Sequence, residues 1–222
     1  MAYTYDYPHP AVTTDIVIFT IRQDALKVLL IKRALEPFRG CWALPGGFVE
    51  PNEGLDEGAR RELEEETGVS DVYLEQLYSF GRPDRDPRER VITVAYYALI
   101  PSDNIALRAA SDAEGVGWFS SDEVPELAFD HAEILAMARQ RLIAKLDYST
   151  IAFQFMPAEF TLSELQQVYE HILAEPIDKR NFRKKVLALN VIEETGGEKR
   201  EGRHRPAKLY RVIDRDRVDV IK

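Results

Sequence analysis

A pair of glycines followed by a short, heavily acidic helix is the tightest constraint in this sequence. Residues 46–69 read GGFVEPNEGLDEGARRELEEETGV. Pro45-Gly46-Gly47 is a strong loop signal. The stretch 55–68 is highly charged, lacks β-branched residues before Thr67 and stops at Gly68, which predicts a helix. Within it Glu62, Glu65 and Glu66 stand at i, i+3 and i+4, so their carboxylates share one helix face. Like charges so placed destabilise a helix by a few tenths of a kcal/mol per pair, roughly, unless a cation neutralises them. Mg²⁺ or Mn²⁺ would do so, because hard cations take carboxylate oxygens. Gly46 and Gly47 would let the backbone approach a metal or substrate, Glu53 adds a fourth carboxylate, and Arg61 can orient one of them. The alternative is a solvated acidic face.

The 222 residues allow one large domain or two smaller ones. No stretch approaches a membrane span, and MAYTYDYPHP has no basic region leading into an apolar run. With Cys41 as the one cysteine, no internal disulfide is possible, and a cytoplasmic location is expected. The net charge of −9 argues against nucleic acid until it is divided. Residues 1–150 hold 15 Lys+Arg against 26 Asp+Glu, whereas 151–222 hold 14 against 12, and within the latter 179–211 hold 11 against 4. Halves of unlike charge suggest unlike partners.

β-rich runs at 12–31, 74–80 and 91–100, a short one around GVGWFS, and two helices (55–68 and 132–146) predict an α+β fold with a mixed sheet. A domain boundary is expected in 147–156, giving domains of 1–147 and 148–222. Beyond it, Thr161 and Glu164 form a capping-box pattern, Asp178 can cap a basic helix with Phe182, Val186, Leu187 and Leu189 inward, and GGEKREGRHRPAKLYRV reads as a hairpin. Helix, turn, basic helix and hairpin is the order of a small winged helix-turn-helix domain.

Gly47, Glu53, and Arg61-Glu62-Leu63-x-Glu65-Glu66-x-Gly68-Val69 match the Nudix box at every defined position, and the chain resembles the Nudix hydrolases. The resemblance implies a Nudix fold and metal-dependent hydrolysis of a nucleoside diphosphate derivative. Glu62, Glu65, Glu66 and the Gly47 carbonyl resemble the metal ligands, with Glu62 alternatively the base. Arg61 and Glu53 resemble the pair joining loop to helix. Pro83, fifteen residues beyond Gly68, resembles the pattern of ADP-ribose pyrophosphatases, which release AMP and ribose 5-phosphate. Gly46, Arg82, Pro83 and Arg90 are then substrate-binding candidates, with Arg85 and Arg88 in the same loop. Asp112 and Glu114 lie where some Nudix enzymes keep an extra acid. His9, Cys41 and His131 read as structural, and Phe80, Tyr96 and Tyr97 as core.

Lys179, Arg180, Asn181, Arg183 and Lys184 on the basic helix, with Arg203, Arg205 and Lys208 on the wing, are candidates for DNA contact. The other reading is a docking face for the acidic domain. HPAVTTD, AFDH, RNFRKKVL and GRHRPAKLYR extend the resemblance over nearly the whole chain, to the Nudix-related transcriptional regulators of NAD metabolism. That implies ADP-ribose as effector, a homodimer and DNA as partner. Many such regulators carry a degraded box, whereas this one is intact. Hydrolysis is therefore the first expectation and ADP-ribose-responsive regulation the second, with a nucleotide-pool hydrolase third.

Overall fold

The computed structural model describes residues 6–7, 9–101, 113–200, 206–215 and 217–221. In chain order the first part comprises β1 (Ala11–Arg22), β2 (Ala25–Arg33), β3 (Trp42–Ala43), β4 (Gly46–Phe48), α1 (Leu55–Thr67), β5 (Tyr73–Phe80), β6 (Val91–Leu99), β7 (Ala113–Ser120) and α2 (His131–Tyr148). The sheet runs β3-β2-β1-β6-β5, with β4 added to β1 and β7 to β2. β1 and β6 are parallel and the other pairs antiparallel, so the sheet is mixed as expected.

β1 is buried without a break from Thr13 to Thr20, because both faces of the sheet are covered. Side chains alternate across a strand. Val17, Phe19, Tyr97 and Leu99 enter one core, and Ile16, Ile18, Tyr96 and Ala98 the other. Helix α1 closes the second core with Ala59 and Leu63. On the opposite face α2 contributes Ile134, Leu135, Ala138, Leu142 and Leu146, the stripe its periodicity predicts.

A 3-10 turn (Ile151–Phe155) leads to α3 (Leu162–Leu173), α4 (Lys179–Ala188), β8 (Ile192–Lys199) and β9 (Ala207–Val212). Thr161 and Glu164 form the capping box, Thr161 Oγ1 accepting from the Glu164 amide at 3.2 Å and Glu164 Oε2 from the Thr161 amide at 2.6 Å. Helix α4 buries Phe182 and Val186, one turn apart. Leu187, expected inside, is 46% exposed: one residue past Val186, it has rotated away from the core by about 100°. The hairpin forms as expected, and Gly196 and Gly197 lie inside β8, where Gly196 has φ +81° and the register shifts between Glu194 and Glu198.

The core of this second part is continuous with the first. Phe153, Phe155, Phe160, Leu165, Ile172, Phe182 and Tyr210 belong to the same apolar cluster as Val17, Val28 and Leu142.

The start of α2 is pinned by charge. Arg85 is buried, its guanidinium donating to both oxygens of Asp130 (2.8 and 3.0 Å) and to Asp15 on β1 (3.1 Å). His131, the first residue of α2, accepts the Leu44 amide on Nδ1 at 2.9 Å and places Nε2 3.7 Å from Asp15. It thereby holds the chain just ahead of Gly46 and Gly47. Burial lowers the His131 pKa below 6.5, so the folded state keeps it neutral. The unfolded chain then binds the proton first as pH falls, and stability declines below pH 6.5. The limiting slope is about 1.4 kcal/mol per pH unit for one group. Denaturant unfolding between pH 5 and 8 should show His131→Gln, which keeps an acceptor for Leu44, losing stability less steeply with acid than the parent. Equal slopes would disprove this assignment.

Candidate functional site

The glycine loop forms because β4 lies antiparallel to the first part of β1, pairing Gly46 with Asp15 and Gly47 with Thr14. A Cβ on Gly46 would meet the Thr14 carbonyl oxygen at 2.2 Å. A Cβ on Gly47 would lie 2.3 Å from Glu62 Oε1, so only glycine lets that carboxylate rest on the loop backbone.

Arg61 organises the acidic residues. It grips Glu53 through two contacts (2.8 and 3.1 Å), reaches Glu62 at 2.8 Å and Glu65 at 3.4 Å, and touches the Phe48 carbonyl at 3.4 Å. The cation that relieves the crowded helix face in this structure is thus an arginine of the same helix. The Arg61 guanidinium and the Glu50 amide hold the Glu53 carboxyl down to about 2. Burial raises Glu62, against the opposing pull of Arg61. Glu66 is buried and Glu65 exposed, so the shared face runs from core to solvent.

As donors, Glu62, Glu65, Glu66 and the Gly47 carbonyl suit a hard divalent cation in kind, since all are oxygens. The space kept at Gly47 for the Glu62 carboxylate agrees with this. Among the described residues, however, no three acidic or histidine side chains already converge as a metal cage.

The loop over residues 81–90 spends its arginines differently from one another. Arg82 makes an exposed pair with Glu133 at 3.1 Å, next to Pro83. Arg90 donates to the Gly81 carbonyl at 2.6 Å and closes the loop. Arg88 is held by Asp86, and Arg85 forms the buried cluster with Asp15 and Asp130. Reading the sequence missed that cluster. Asp15 and Asp130 lie in HPAVTTD and AFDH, but no spacing links them to one arginine among four. Tyr96 and Tyr97 are core residues as expected. Asp112, Arg203 and Arg205, and the side chain of Glu114, lie outside the described residues.

On the winged part, Lys179, Arg180, Asn181 and Lys184 are exposed on α4, and Arg183 is half-buried with Ser163 Oγ 3.4 Å away. A cleft of about 510 Å³ separates α4 and the start of α3 from the hairpin, lined by Ser163, Lys179, Arg183, Lys199 and Lys208. Lys208 pairs with Glu194 at 2.8 Å and Lys199 with Glu164 at 2.5 Å. Among the described residues, no helix is long and apolar enough to cross a membrane.

Two family models match the chain. Residues 10–138 match the NUDIX domain model, and residues 152–212 match the NrtR DNA-binding winged helix domain. The chain is 41% identical over 215 residues to the ADPR responsive transcriptional repressor NtrR of Acinetobacter baylyi, covering 95% of this chain and 85% of that one. It is 42% identical over 129 residues to an ADP-ribose pyrophosphatase of Methanocaldococcus jannaschii, covering 58% of this chain and 73% of that one. Among solved structures, Shewanella oneidensis NrtR complexed with a 27mer DNA superposes with a TM-score of 0.82 at 39% identity, covering 90% of this chain and 93% of that one. The chain belongs to the Nudix family, in the branch whose Nudix domain is continued by an NrtR winged helix domain.

Proposed function

We propose that the protein is an ADP-ribose-responsive DNA-binding regulator, residues 1–147 sensing the nucleotide and residues 148–222 reading DNA as a homodimer. This reverses the order of the two expectations from sequence. The observation that carries it is α4: a helix anchored by Phe182 and Val186 that turns Lys179, Arg180, Asn181 and Lys184 outward. The repressor and the DNA-bound structure resemble the chain over nearly its full length, whereas the pyrophosphatase resembles the first part. In this reading α4 enters a major groove, while Arg183, Lys208 and the wing residues Arg203 and Arg205 contact phosphate. Two such modules one helical turn apart match a palindromic site, which favours the dimer.

Hydrolysis is the second reading, favoured by the complete box around Arg61. Glu62, Glu65, Glu66 and the Gly47 carbonyl would hold Mg²⁺ or Mn²⁺, which when bound screens the pyrophosphate and activates water. Arg61 with Glu53 keeps helix and loop in register, and Glu62, its proton affinity raised by burial, would be the base if it does not ligate the metal. Arg82, in an exposed ion pair of little energetic weight, can exchange Glu133 for a phosphate. Arg90, Pro83 and Gly46 are the remaining candidates for substrate contact in this reading. Hydrolysis of the effector would return the regulator to its DNA.

Fluorescence anisotropy with the DNA upstream of the protein's own gene should give binding whose logarithm falls with log salt by about 0.9 per phosphate contact. Arg183→Ala, which removes a phosphate contact in this reading, should weaken it uniformly across sequences and reduce the slope by about one, and ADP-ribose should release the DNA. Failure to bind at low salt would remove the regulator reading. Separately, incubation with ADP-ribose and Mg²⁺ should release AMP, and Glu65→Gln or Glu66→Gln should bring the rate to background. A parent protein yielding no AMP with either Mg²⁺ or Mn²⁺ would leave sensing without hydrolysis.

A further inference from the structure

Beside the glycine loop lies a ladder of rings and guanidinium groups that the preceding roles do not use. Phe48 directly follows Gly47 and is 43% exposed. The Arg88 guanidinium lies 5.5 Å from the Phe48 ring centre and 6.0 Å from that of Phe129. Arg33 lies over Phe129 at 4.8 Å, and Phe38, also partly exposed, meets Phe129 edge-on at 4.7 Å. The order is ring, guanidinium, ring, guanidinium. Three separate segments contribute its rings: β4, the β2–β3 connection and the residue before Asp130.

Two features distinguish this ladder from incidental loop packing. Phe38 and Phe129 both have left-handed backbones (φ +65° and +54°), which bulky residues rarely adopt and which cluster at ligand sites. Arg88 is also fixed in orientation, donating through Nε and Nη2 to the two oxygens of Asp86 at 3.0 and 2.7 Å. A guanidinium locked beside a partly exposed ring offers a flat surface with both π and cationic character. Flat heteroaromatic rings stack on such surfaces, and Arg contributes cation–π attraction. A base there would lie immediately beside Gly47 and the Glu62 carboxylate that rests on it.

We infer that Phe48 and Arg88 form the platform on which the purine base of the bound nucleotide stacks. The inference rests on the nucleotide reading of this site and adds to it the residues that recognise the base. Asp86 is a positioning residue, acting through Arg88.

Isothermal titration of the full-length protein with AMP and with ribose 5-phosphate tests it, since both carry a phosphate and one carries a base. The parent should bind AMP more tightly. Phe48→Ala should weaken AMP by about tenfold or more and leave ribose 5-phosphate unchanged, and Phe48→Trp should restore AMP. Arg88→Lys, which keeps the charge and loses the plane, should weaken AMP selectively in the same way. Circular dichroism melts of the variants should match the parent, as expected for partly exposed positions. AMP affinity retained in both Phe48→Ala and Arg88→Lys would overturn the platform while leaving nucleotide sensing intact. A parent that binds neither AMP nor ADP-ribose would overturn both.

Discussion

One buried guanidinium sets the geometry of the Nudix domain beside the glycine loop. Arg85 lies out of water between Asp130 and Asp15, and each partner comes from a different element. Removing charge from water is expensive, and such a cluster adds little net stability over an apolar packing of the same shape. Taking away one partner is another matter, costing about 3–5 kcal/mol because a charge is left buried alone. What the cluster supplies is a fixed relation between the charged loop, β1 and the start of α2. Asp130 precedes α2 without capping it by a side-chain hydrogen bond, because its carboxylate faces Arg85 instead. His131 adds the Leu44 amide to the same point, and through it the glycine loop.

From that point α2 runs for 18 residues, about 27 Å at 1.5 Å per residue, into the winged part. Its buried stripe packs on the sheet, and it also contacts α3 and the 3-10 turn. Helix α3 in turn contacts β2, with His171 3.8 Å from Asp24 in the β1–β2 turn. An exposed linker would leave two domains free to move independently, whereas a shared apolar core couples the two parts. A ligand changes DNA affinity only by preferring one arrangement of such a body over another. The charged loop and the start of α2 are where a bound nucleotide would exert that preference, because both meet at Arg85.

The elements with strong local rules were legible in the sequence. The acidic helix, the stripe of α2 and the Thr161–Glu164 box depend on spacing within one segment, and each appears where the spacing puts it. What could not be read depends on contacts between distant segments. Four loop arginines look alike in sequence, yet one is buried and another is stacked on phenylalanine, according to where Asp130 and Phe48 arrive. Ile151, Phe153 and Phe155 are buried in a core common to both parts, which no pattern within one segment announces. Gly196 and Gly197 form a bulge in β8, a feature set by the cross-strand register with β9.

The charge division also acquires a finer meaning. Three of the described wing cations are not idle: Lys199, Lys208 and Arg211 face Glu164, Glu194 and Glu193, carboxylates of the same module. Exposed ion pairs of this kind contribute about 0–1 kcal/mol each, so a phosphate can displace the carboxylate at small cost. The gain on displacement is correspondingly reduced, since each wing cation exchanges one anion for another. Helix α4 differs, carrying Lys179, Arg180 and Lys184 on its exposed side with no acidic residue between Asp178 and its end. Attraction to a polyanion would therefore be concentrated on α4, and any wing contact would gain only as far as phosphate geometry improves on glutamate. The total charge of −9 is compatible with DNA binding because the positive surface is local and the Debye length of about 8 Å in physiological salt screens much of the acidic domain from it.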